Sequence, residues 1–143
     1  MASRKTVLRV AVFLAATAIE PVAGGVAAMT ESAGVPKQLV GCWHRHVGAL
    51  PVGTTAGVWS IQITSAGRLR AFTPGMTSCT GSGDFSASAS VAAGRLTIGH
   101  VPVCANKGVY SWKVSGKRLT LRAVSENACP DRRGLFVGVW KRP

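Results

Sequence analysis

Acidic side chains are scarce in this chain: five Asp and Glu stand against seventeen Lys and Arg in 143 residues, a formal charge of +12. Beyond the N-terminal segment only Glu31, Asp84, Glu126 and Asp131 remain. A paired-carboxylate mechanism needs two acids held about 5–10 Å apart, and no spacing among these suggests it. Asp131 beside Arg132 and Arg133 reads as an ion pair ordering a loop. The chain also has no Gly-x-Ser-x-Gly elbow for a serine nucleophile and no Cys-x-x-Cys spacing for zinc. Cys42, His44 and His46 share a strand face, but with Cys42 oxidised a third ligand is wanting, and His100 belongs to a distant strand. The expectation is a protein without catalysis, metal or cofactor. No segment carries a convincing helical period, and no apolar run reaches the about 20 residues that a spanning helix needs.

A shorter apolar run is present at the start. Arg4, Lys5 and Arg9 precede an apolar stretch over residues 10–19, and Glu20-Pro21 ends it. Val26-Ala27-Ala28 then supplies the small residues a signal peptidase accepts, so residues 1–28 read as a secretory signal cleaved near Ala28. Residues 29–37 read as a disordered leader, and residues 38–143 as one small domain. Leu39-Val40-Gly41-Cys42 has the look of a lipobox, yet Glu31, Lys37 and two prolines separate it from the apolar run, so it reads as a strand entering the domain.

The four cysteines, Cys42, Cys79, Cys104 and Cys129, all follow the signal, and an even count in an exported domain argues for two disulfides. Cys104 and Cys129 lie almost symmetrically about a hairpin turn at Ser115-Gly116, so antiparallel pairing brings them together at its base. Cys42 with Cys79 is the remaining pair.

That hairpin is one of three. Ser65-Ala66-Gly67-Arg68-Leu69, Ala92-Ala93-Gly94-Arg95-Leu96 and Ser115-Gly116-Lys117-Arg118-Leu119 are near-copies, each a glycine turn opening an alternating apolar stretch. Eight strands are expected, over about 39–46, 57–64, 67–73, 83–91, 94–100, 108–114, 117–124 and 134–141. Tight turns follow strands 2, 4 and 6, while longer loops follow the odd strands, so the two kinds lie at opposite ends of a meander. Eight half-apolar strands bury their inner faces and lose both edges by closing into an up-and-down barrel. A two-sheet β-sandwich is the other all-β solution.

Gly41-Cys42-Trp43 is similar to the Gly-x-Trp that opens the first strand of lipocalins, and the whole pattern resembles a calycin barrel. The stretch from Cys104 to Arg142 is also similar to small secreted lipocalin-like bacterial proteins of unassigned function. The resemblance implies that Trp43 packs at the closed end against a cation just after the last strand, Lys141 or Arg142. The Thr-Asp-Tyr element of many lipocalins is absent, as is room for their C-terminal helix.

Two candidate surfaces follow. Trp59, Phe85, Ile98, His100, Tyr110 and Trp112 are expected to face inward, with Ala87 and Ala89 leaving space between them. They describe either the wall of a small-molecule pocket or a filled core. Arg68, Arg95, Lys117 and Arg118 cluster at the tight-turn end and offer a patch for an anionic polymer or membrane surface, with no specific nucleic-acid partner. The leading expectation is a monomeric, secreted barrel that binds a small apolar or amphipathic ligand. The alternative is an interaction module that uses the barrel as a scaffold and contacts a protein, polymer or membrane.

Overall fold

Strand alternation decides the architecture. Trp59, Ile61 and Ile63, then Leu69 and Ala71, then Leu96 and Ile98 are buried on one face of successive strands, and a sheet with one continuous apolar face hides it by curling on itself. The computed structural model, which describes residues 34–143 apart from 52, 103 and 126–128, is such a closed barrel. The expected secretory signal lies outside the described residues. Eight antiparallel strands run in chain order: β1 (Gly41–Val47), β2 (Gly57–Ile63), β3 (Arg68–Phe72), β4 (Phe85–Ala92), β5 (Arg95–Ile98), β6 (Gly108–Ser115), β7 (Arg118–Ser125) and β8 (Gly138–Lys141). Each neighbours the next, and β8 returns to β1. No helix among the described residues is long and apolar enough to cross a membrane.

The pairing is staggered as strand tilt in a closed barrel requires. The first half of β4 pairs with β3, from Phe85 opposite Ala71 to Ser88 opposite Arg68. Its second half pairs with β5, from Ala89 opposite Ile98 to Ala92 opposite Arg95. The β2–β3, β4–β5 and β6–β7 connections are the three expected tight turns. In the second, Ala93 and Gly94 both take positive φ, 48° and 70°, as a primed two-residue hairpin demands.

Two expectations are corrected. Residues 34–37 belong to the packed domain rather than to a disordered leader: Val35 is buried, and a turn from Pro36 O to Leu39 N (2.8 Å) drives Leu39 fully into the tight-turn end. The second correction concerns the last crossover, which contains a helix, α1 (Pro130–Phe136), where the eighth strand was expected to begin at 134. Proline suits the first helical position and Asp131 complements the N-terminal dipole, while Leu135 and Phe136 bury themselves over the barrel.

Both disulfides join the expected partners, Cys42–Cys79 and Cys104–Cys129, with Cα separations of 5.8 and 6.2 Å. The first fastens the β3–β4 loop to β1, which leaves Cys42 no part in lipidation. The second fastens the β5–β6 loop to the start of α1. Non-reducing peptide mapping should recover these two linked pairs. Closing a loop with a sequence separation of 25 contributes about 3 kcal/mol in the chain-entropy model, so Cys104→Ser should lower the unfolding free energy by about 2–5 kcal/mol in denaturant titration.

Candidate functional site

Most of the barrel interior is full. Trp43, Tyr110 and Trp140, with Ile61, Leu96, Ile98 and Leu121, have no solvent contact. At the long-loop end the filling stops and a cup of about 350 Å³ opens. Trp59, Phe85, Val101, Leu135 and Phe136 give it an apolar wall, and Thr54, Thr55, Thr73, Asp84, Asp131 and Arg132 supply polar groups.

α1 roofs one side of the cup and is held at both ends. Phe136 meets Tyr110 edge to face, with ring centroids 6.1 Å apart, which props one end of the helix on the core. The other end is held by its charged residues. Asp131 is buried and accepts a hydrogen bond from Thr54 Oγ1 at 3.2 Å. Arg132, also buried, donates to the carbonyls of Gly99 and Asn106. Asp131 and Arg132 therefore tie three connections together. Trp59 is fixed in turn by its Nε1 donating to Thr55 O at 2.7 Å.

The six expected inward residues separate into groups. Trp59 and Phe85 line the cup. Ile98 and Tyr110 are fully buried in the filling beneath it. Trp112 is half-buried and packs at the margin of the core. His100 is corrected: it is exposed on the outer wall beside Arg68, Ser86 and Ser88. Period-2 reasoning carries it inward, but β5 ends at Ile98. Gly99 then turns the chain against β4, its N–H donating to Ser88 O at 2.9 Å.

The helix residues that complete the cup, Asp131, Arg132, Leu135 and Phe136, are absent from the expected pocket wall, the expectation for Asp131 and Arg132 being only a loop ion pair. The seven residues of α1 enclose Gly134 and two adjacent arginines, too short and too charged to show an apolar period. The loop threonines carried no signal at all. His44, expected to share a face with Cys42 and His46, is engaged by Ser60 Oγ at 2.7 Å. Among the described residues no group of three or more His, Cys, Asp or Glu is placed to hold a metal ion.

A second feature was expected only in half, as Trp43 against Lys141 or Arg142; its reciprocal half was not, although the signal was present. Gly41-Cys42-Trp43-His44-Arg45 and Gly138-Val139-Trp140-Lys141-Arg142 are the same Gly-x-Trp-x-Arg pattern, one in β1 and one in β8. The two strands pair antiparallel with His44 opposite Lys141, which sets each arginine across from the other strand's tryptophan. Arg142 Cζ lies 4.4 Å from the Trp43 ring centroid, and Arg45 Cζ lies 6.0 Å from that of Trp140. Each tryptophan donates to the carbonyl four residues before it, Leu39 O at 2.9 Å and Phe136 O at 3.0 Å. Each arginine donates to two further carbonyls: Arg142 to Gln38 O and Val40 O, Arg45 to Gly134 O and Leu135 O.

Gly41 and Gly138 sit at φ +135° and +141°, a region L side chains rarely adopt, and a Cβ at Gly138 would strike the Arg45 guanidinium. Lys141 points outward and is exposed, so Arg142 takes the place against Trp43. Burial pushes the Arg45 pKa below its ordinary value, a desolvation that the stacked ring and two carbonyls offset. Because those carbonyls end α1, the strand that closes the barrel also positions the cup.

Comparison of the chain with family models, with curated proteins and with solved structures finds no match.

The seam generates a quantitative expectation. Arg142→Ala and Arg45→Ala each remove a stacked cation and two charge-assisted bonds, and each should cost about 2–3 kcal/mol in denaturant unfolding. Lys141→Ala, at the same seam but outward, should change stability by less than about 0.5 kcal/mol.

Proposed function

We propose that this protein is a non-catalytic, lipocalin-like binder that takes a small amphipathic molecule into the cup at its long-loop end. The observation that carries the reading is the cup itself, about 350 Å³ with an aromatic wall and a few convergent polar groups. Its size falls at the lower end of small-molecule pockets, and its composition matches theirs. The placement of acids narrows the ligand. Asp84 and Asp131 are the two carboxylate side chains among the described residues, and both line the cup of a strongly basic protein. Asp84 is exposed at the rim, so a ligand with an apolar ring or short chain and an amine or hydroxyl donor suits the site. In this reading the N-terminal segment is a cleaved signal and the protein works outside the cell, where two disulfides persist.

Tryptophan-fluorescence titration and native mass spectrometry against aromatic amines, fatty acids, sterols and aromatic metabolites test the assignment. A ring-bearing amine should bind stoichiometrically and quench the emission of Trp59. Phe85→Ala should weaken that binding by about tenfold through lost apolar contact, and Asp84→Asn should weaken amines while sparing uncharged analogues. Absence of binding by every class, or binding indifferent to both substitutions, would refute the proposal.

A further inference from the structure

The tight-turn end of the barrel differs chemically from the mouth. Lys37, Arg68, Arg95, Lys117, Arg118 and Lys141 are all exposed there. Arg68, Arg95 and Arg118 open β3, β5 and β7 directly after the three tight turns. Lys37 reaches the same end because Arg142 holds the neighbouring carbonyls of Gln38 and Val40. No described carboxylate side chain lies at this end, since Asp84 and Asp131 both line the mouth.

Two details separate this surface from ordinary solvated charge. Arg118 and Lys141 are directly opposite one another on β7 and β8. Like charges so placed repel and destabilise a sheet, and a bound anion would relieve that. Arg68 and Arg95 fall opposite Ser88 and Ala92 of β4, and Arg95 and Arg118 opposite Ser111 and Ser115 of β6, so the three arginines are evenly spaced, about 16 Å apart. At low salt the screening length matches or exceeds that spacing, and their fields sum into one positive face.

The distribution selects the occupant. The cations ring the whole end, on three separate hairpins and both flanking segments, instead of lining a groove. A planar array of anions meets all of them at once, whereas a linear polyanion follows a stripe. Trp43 and Trp140 are buried, so this end has no exposed tryptophan on which unpaired bases could stack. The exposed large apolar residues Val58, Met76 and Val124 belong to strand ends and a loop at the mouth side, so nothing here inserts into hydrocarbon.

We propose that the tight-turn end docks reversibly and electrostatically on an anionic lipid bilayer, holding the barrel axis upright with the cup turned to solution. This rests on the charge layout and is independent of what the cup binds.

Co-sedimentation with vesicles of phosphatidylcholine containing roughly 30 % phosphatidylglycerol, compared with pure phosphatidylcholine, tests it. Binding should be confined to the anionic vesicles and fall steeply between about 0.05 M and 0.5 M salt. The set Arg68→Glu, Arg95→Glu, Arg118→Glu should lower the partition coefficient about 100-fold, at about a kcal/mol per cation near an anionic surface. The neutral set Arg68→Gln, Arg95→Gln, Arg118→Gln should give a smaller loss in the same direction. The control set Lys107→Glu, Arg133→Glu, Asn106→Asp, Ser125→Asp removes the same net charge from exposed positions at the mouth, the end turned away from the lipid, and should cost less than about tenfold. Circular dichroism of each set confirms folding, which these exposed positions should not affect. Equal losses from the turn-end and control sets would overturn the proposal by reducing it to net charge. Failure to sediment with anionic vesicles at low salt would overturn it too. So would displacement from vesicles by soluble polyphosphate at matched phosphate concentration, which would make a linear polymer the partner.

Discussion

Closure between β1 and β8 is the constraint on which the rest of this molecule depends. The other strand pairs are fixed by consecutive hydrogen-bonded positions, seven of them between β1 and β2, but the β1–β8 ladder has a single registered pair, His44 with Lys141. A short ladder is a weak fastening, and an open barrel would expose two edges and its core together. The reciprocal stacks of Arg142 on Trp43 and Arg45 on Trp140 strengthen the seam from inside. They cap carbonyls on both sides of it, and they use planar guanidinium groups that a lysine could not replace.

This arrangement divides the interior. At the tight-turn end, Leu39, Val35 and the Trp43–Arg142 pair stop the barrel with side chains, and large residues fill the middle. Toward the mouth, β4 contributes Ala87 and Ala89 to the inner face, and the long loops rather than the strands provide the walls. The lower barrel is thus a packed core in the ordinary sense. Space for a guest appears only where α1 rests on Tyr110 and on the loops, so the sequence alternatives of filled core and pocket are realised at different depths.

Strand count, neighbour order, hairpin positions and the Cys104–Cys129 pairing were legible because they rest on local, periodic signals, and Cys42–Cys79 followed as the remaining pair. A Gly after a small residue marks a turn wherever it stands, and Trp59-Ser60-Ile61-Gln62-Ile63 declares its faces without reference to the rest of the chain. The cup was only partly legible for the complementary reason. Trp59 and Phe85 could be assigned because strands carry them, but Thr54, Asp131 and Phe136 enter through a loop and a seven-residue helix whose placement is set by tertiary contacts. His100 illustrates the limit of periodicity, since alternation predicts direction only while the strand lasts. The repeated Gly-x-Trp-x-Arg was readable throughout, yet its meaning requires knowing that the first and last strands are neighbours.

The unequal sharing of charge between the two ends makes the barrel a permanent electric dipole along its own axis. At the mouth, Asp84 and Asp131 offset much of the charge of Lys107, Arg132 and Arg133, while the opposite end carries its cations unopposed by any described carboxylate side chain. In any non-uniform field such a body experiences a torque as well as a pull. Its orientation is therefore selected during the last nanometre of approach, before contact is made. Encounters with a negatively charged body of any kind begin turn-end first, and the mouth is the last part of the molecule to be obstructed.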